Sequence, residues 1–124
     1  HGNWPEDLKV IENEIEVRKT NESERKVHKS ESGKKSKTKF SISDKCKGFT
    51  KLIALPYTGR THQIRFHCYD AGYPILGDNK YSLKENQLKA KRLMLHAKEV
   101  IFMDGDKKIH AKAKENYGLK FIDN

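Results

Sequence analysis

The densest chemistry in this chain lies between Tyr57 and Tyr81, in YTGRTHQIRFHCYDAGYPILGDNKY. Two guanidiniums (Arg60 and Arg65), an imidazole (His62) and an amide (Gln63) crowd into six residues. On one arginine alone, surface solubility would be the plainer reading. Here the charges sit where a helix should begin, and a helix N-terminus already attracts anions through its free amides and dipole. The group suits a phosphate, or a carboxylate that must stay ionised.

Other chemistries fit less well. His62, His67, Cys68, His96 and His110 could each ligate a metal. His62 and His67 are five apart, so a helix does not bring them to one face, and no C-x-x-C or H-E-x-x-H pair occurs. No metal is expected. Cys68 as a nucleophile competes with its place on an apolar stripe, where a buried structural thiol is expected. No glycine-rich phosphate loop is present.

The cluster must be positioned by its flanks. Thr58-Gly59-Arg60-Thr61 reads as a turn into a helix over about Thr61 to Ala71, with Thr58 or Thr61 as cap. Gly72 stands where a left-handed C-terminal residue is wanted, and Pro74 follows as a stop. Ile64, Cys68 and Ala71 make the core stripe; His62, Arg65 and Tyr69 make a cationic, aromatic one. Phe49 to Leu55, apolar on both faces, reads as a central strand leading into this helix, paired as a hairpin with Phe40 to Asp44. Short strands are expected near Lys9–Glu12 and Glu14–Arg18. Between Arg18 and Lys39 only Val27 is strongly apolar, and a mobile loop or a long frayed hairpin turning at Gly33 is expected. After a tight turn at Ile75 to Asp78, a polar, mostly exposed helix is expected over Ser82 to Lys91. A strand over Glu99 to Met103 then turns at Asp104-Gly105 into a partner over Lys107 to Ala113. Tyr117, Leu119, Phe121 and Ile122 in the tail would dock onto the sheet. The fold class is α+β: an antiparallel sheet of four to six strands with one or two helices.

With 124 residues there is room for one small domain. The net charge of +9 favours an anionic partner, nucleic acid first, although a lysine-rich solvated surface would give the same number. Cys46 and Cys68 are the only cysteines, no stretch could cross a bilayer, and no signal peptide is visible. A cytoplasmic location without membrane contact is expected.

At this point the motifs resemble those of the RluA/RluC-type pseudouridine synthases. Thr58 to Arg65 resembles the family's G-R-x-H-Q-[IL]-R segment. Gly72 to Asp78 with Tyr81 is similar to G-x-P-I-x-G-D-x-x-Y, and Arg92 to Ala97 to R-L-x-L-H-A. Gly33-Lys34, Ser36, Thr38 and Phe40 resemble a G-K-x-S-x-T-x-F strand entry, and Gly2 with Trp4 a G-x-W. The likeness covers nearly the whole chain in order. It implies the C-terminal part of a catalytic domain.

One departure outweighs the matches. The family's catalytic aspartate, in G-R-L-D-x-x-[TS]-S-G, and its active-site tyrosine, in K-x-Y-x-A, have no counterpart in the 124 residues. Both are expected upstream of His1, together with the family's small RNA-binding domain. The resemblance implies isomerisation of uridine in RNA, with large-subunit ribosomal RNA the expected substrate and no cofactor. The target uridine is flipped out, its N1–C1′ bond breaks, the uracil turns and a C5–C1′ bond forms. By resemblance Arg65 pairs with the aspartate and keeps it ionised. Arg60, His62 and Gln63 would lie toward the RNA, and Leu95 at the pocket wall, where core packing would serve equally well. The fragment alone would be inactive, with Arg65 either exposed or on a substitute carboxylate, and with an open sheet edge inviting self-association. A stand-alone RNA-binding module without catalysis is the alternative.

Overall fold

Alternation in the stretch 34–46 builds the strand on which the domain rests. Ser36, Thr38 and Phe40 point inward while Lys35, Lys39 and Ser41 stay toward solvent. In this computed structural model residues 1–21, 24–82, 90, 92–97 and 99–112 are described. The elements are β1 (Val10–Asn21), β2 (Glu24–Lys29), β3 (Lys34–Cys46), β4 (Phe49–Pro56), α1 (Gln63–Asp70), β5 (Glu99–Asp104) and β6 (Lys107–Lys112). The first four form an antiparallel sheet in the order β2-β1-β3-β4, and β5 pairs with β6 in a two-stranded sheet. The α+β expectation holds in this form.

Several local expectations change. The two short strands near residues 9–18 are one strand, β1, pairing with β2 over its C-terminal half and with β3 over its N-terminal half. The charged segment 18–39, where a mobile loop or a frayed hairpin is expected, forms strands in its described residues, with β2 paired to β1. Its small inward residues explain this: Val27 is fully buried, and Ser36 and Thr38 each hydrogen-bond the buried ring of His67. Gly33 does lie at a turn, closed by its N–H on the Ser30 carbonyl. β4 is an edge strand and not a central one. Leu52 and Ala54 face inward, while Ile53 and Leu55 are 50% and 53% exposed. The turn of the last hairpin lies at Gly105 and Asp106. The helix expected over Ser82 to Lys91 and the docking tail fall almost wholly outside the described residues.

α1 lies across the inner sheet face. Cys68, with Ile64 and Ala71 beside it, packs with Trp4 and Phe40. Phe66 packs with Ile15, Val27 and Tyr81. The helix ends as expected: Gly72 has a positive φ of 93°, the Tyr73 N–H reaches the Cys68 carbonyl, and the Gly72 N–H reaches that of Tyr69. This is a Schellman closure. No described helix is long and apolar enough to cross a membrane.

Candidate active site

The helix start is built differently from the sequence expectation. α1 begins at Gln63 and its N-cap is His62, in the left-handed region at φ 50° and ψ 26°, with no side-chain cap. Thr58 and Thr61 do not cap it. The Thr58 hydroxyl instead donates to Gln63 Oε1 at 2.6 Å. The Arg60 N–H donates to the same oxygen, and Gln63 Nε2 donates to the Lys37 carbonyl and to Thr38 Oγ1. Gln63 is thus buried with its amide fully used, tying the 57–62 turn to β3. A side chain that satisfies four partners internally has no donor or acceptor left to offer a ligand.

One turn further along, His67 is buried in the sheet interior. Its Nδ1 is 2.8 Å from Thr38 Oγ1, and its Nε2 lies 2.9 Å from Ser36 Oγ and 3.0 Å from Asn13 Oδ1. Burial holds its pKa below the ordinary value, against the pull of Asp70. Cys68 is buried and its thiol is pushed up to about 12 by that burial, which makes it a structural thiol. Cys46 and Cys68 are both free. Among the described residues no three metal-ligating side chains gather.

Arg65 is the centre of the site. Its Nε donates to Asp78 Oδ2 at 2.9 Å and its Nη2 to Oδ1 at 2.8 Å. The guanidinium side chain is 20% exposed and the carboxylate 0%. Burial alone would raise the Asp78 pKa. The Arg65 bond and the backbone N–H groups of Tyr81 and Lys80 overcome it and hold the carboxyl below the usual range. The Tyr81 ring lies under the guanidinium, 5.2 Å from its carbon. Tyr81 itself is fully buried. Its hydroxyl accepts the Val27 N–H at 2.8 Å and lies 2.8 Å from His62 Nδ1. Burial and the positive charges of Arg65 and Lys80 push the His62 pKa down.

The Tyr81 oxygen accepts from Val27 and keeps both a second lone pair and its own proton, so it can take the His62 Nδ1 contact with either tautomer of the imidazole. The stripe His62, Arg65, Tyr69 seen in the sequence is real, but Tyr81 packs against all three. Asp78 and Tyr81 are the members of this cluster that residue-by-residue reasoning did not single out. Both stood in the G-x-P-I-x-G-D-x-x-Y motif, whose order along the chain said nothing of where they fold.

Beside this cluster opens a cleft of about 310 Å³. Arg60, His62, Gln63, Arg65 and Leu95 all line it, with Pro56, Thr58, Gly59 and Ile64. The five residues singled out in the sequence thus converge, Leu95 arriving from a segment thirty residues away. Arg60 is braced by its Nε donating to the Lys35 carbonyl.

A ribosomal large subunit pseudouridine synthase C of Haemophilus influenzae is 42% identical over 106 residues, 82% of this chain and 33% of the relative. One from Buchnera aphidicola subsp. Baizongia pistaciae is 36% identical over 122 residues, 94% of this chain and 37% of the relative. Over these stretches the chain is similar to the RluA/RluC-type pseudouridine synthases. It spans about a third of the length of these relatives. The fold agrees: human RNA Pseudouridylate Synthase Domain Containing 1 superposes with a TM-score of 0.77 over 97% of this chain and 53% of that one, at 21% identity. No family model matches the chain.

Proposed function

We propose that this chain is the arginine-bearing part of the catalytic domain of an RNA pseudouridine synthase, acting without a cofactor on uridine in large-subunit ribosomal RNA. The observation that carries this reading is Arg65, oriented on a buried carboxylate at the edge of a cleft that also collects Arg60, His62 and Leu95. The nucleophilic aspartate comes from a part of the protein outside these 124 residues. A guanidinium next to an aspartate lowers its pKa by roughly 1–3 units, which keeps the nucleophile ionised in a desolvated pocket. Arg60 and His62 face the RNA backbone or the flipped nucleotide, and Leu95 supplies an apolar wall. Gln63 acts from beneath, holding the turn that carries Arg60 and His62. The rest of the domain covers the exposed Ile53 and Leu55 face of β4, and alone this fragment self-associates there.

Tritium release from C5-labelled uridine in ribosomal RNA tests the reading, using the full-length protein beside this 124-residue chain. Release by the long form and none by the short one is the expected result. No release by either, with RNA still bound, would favour a binding module that uses the same basic cleft without catalysis.

A further inference from the structure

The Arg65 guanidinium has two edges, and among the described residues one of them is used. Nε and Nη2 are taken by Asp78. Among the described residues Nη1 has no hydrogen-bond partner, and Arg65 lines the cleft. A planar fork held at one edge presents its other edge in a fixed direction, so little rotamer entropy remains to be lost when a second anion docks.

Asp78 is itself fixed by its turn. Its Oδ1 accepts the N–H groups of Lys80 and Tyr81, both at 2.9 Å, besides Nη2 of Arg65. Gly77 before it has φ 82°, and a Cβ there would meet the Arg92 carbonyl oxygen at 1.9 Å, so the turn is pressed against the segment that leads to Leu95. Tyr81, whose N–H binds Asp78, also carries the ring beneath the guanidinium.

On the reading given under Proposed function, we propose that Asp78 is a positioning residue for the reaction. It clamps the Nε edge of Arg65 so that the Nη1 edge meets the carboxylate of the nucleophile. Asp78 has no part in bond making and does not touch the substrate. Its carboxylate is a second, permanent partner of an arginine that otherwise would swing between solvent and cleft.

The test is a double-mutant cycle in the full-length protein, comparing wild type, Asp78→Asn, Arg65→Lys and the double variant in single-turnover conversion of ribosomal RNA uridine. Asp78→Asn is expected to slow the single-turnover rate about 100-fold, as loss of a positioning contact can, with RNA Kd changed less than threefold. In the Arg65→Lys background, where no Nε exists, the same change should slow the reaction less than threefold. A penalty of equal size in both backgrounds, or no penalty in either, would overturn the positioning role. If Asp78→Asn does not fold, the wild-type protein answers by NMR: resolved, slowly exchanging Arg65 Nη resonances support the clamp, and a freely rotating, averaged guanidinium overturns it. A wild-type protein that binds RNA and makes no pseudouridine would instead overturn the parent reading, and the positioning role with it.

Discussion

Gln63 and His67 lie one helical turn apart on the same inward face of α1, and both are polar residues where apolar ones would be expected. Their partners explain it. Gln63 spends all four hydrogen-bonding positions, and His67 meets Ser36, Thr38 and Asn13. Removing such a side chain leaves buried groups unpaired, which costs about 1–3 kcal/mol. Gln63→Ala should therefore lower the urea midpoint by a corresponding amount, and an unchanged midpoint would contradict the role of these four Gln63 hydrogen bonds. His67 and His62 both have folded pKa values held below their unfolded ones. The unfolded chain then takes up more protons as pH falls through about 6.5, so their contribution is complete above that pH and declines below it. Asp78 is also depressed, and its contribution is lost only at lower pH, as its folded pKa is passed. Thermal melts from pH 8 to 3 should show this as two successive losses, and melts independent of pH between 7 and 5 would rule out the histidine part.

At the scale of elements, turn chemistry carries the positioning. Gly48 and Gly77 share φ 82°, but a Cβ at Gly48 meets nothing within 4 Å while one at Gly77 runs into backbone. The left-handed conformation alone costs a non-glycine residue roughly 1–2 kcal/mol. Gly48→Ala should show only that, and Gly77→Ala clearly more, since the 75–81 turn must then move away from residue 92. Calorimetry on the pair gives the comparison, and equal losses would contradict the close approach. The β3-β4 hairpin, the C-terminal closure of α1 and the Gly77 turn were legible from local pattern. The 18–39 segment was not. Its lysines and serines read equally as a mobile loop or a frayed hairpin, because ordering there rests on Val27 beneath Tyr81 and on Ser36 and Thr38 against His67, contacts made with residues 29 to 54 positions away.

Across the whole molecule, the inner sheet face is covered by α1 and the outer face is not. Val10, Ile53, Leu55 and Tyr57 stay exposed, and Val10 and Leu55 lie in one row across the sheet through Lys39. Exposed apolar residues beside an unpaired strand edge promote association. In sedimentation velocity the 124-residue chain should self-associate, and Ile53→Lys with Leu55→Lys should return it to monomer. A wild-type chain that sediments as a monomer at high micromolar concentration would contradict this.

Order along the chain determined much of this protein. The local cluster marked Arg60, His62, Gln63 and Arg65, the family resemblance added Leu95, and hydrophobic period marked the hairpins and the core stripe of α1. Cluster and period are local signals, carried by residues within a few positions of one another. Only the tertiary structure decided which of those side chains turn inward and which are held toward the cleft. Gln63 and Arg65 are two residues apart, yet one is consumed by β3 and the other is offered to the cleft on Asp78. That difference depends on which distant backbone and carboxylate groups the fold brings within 3 Å, a distance that sequence separation does not encode.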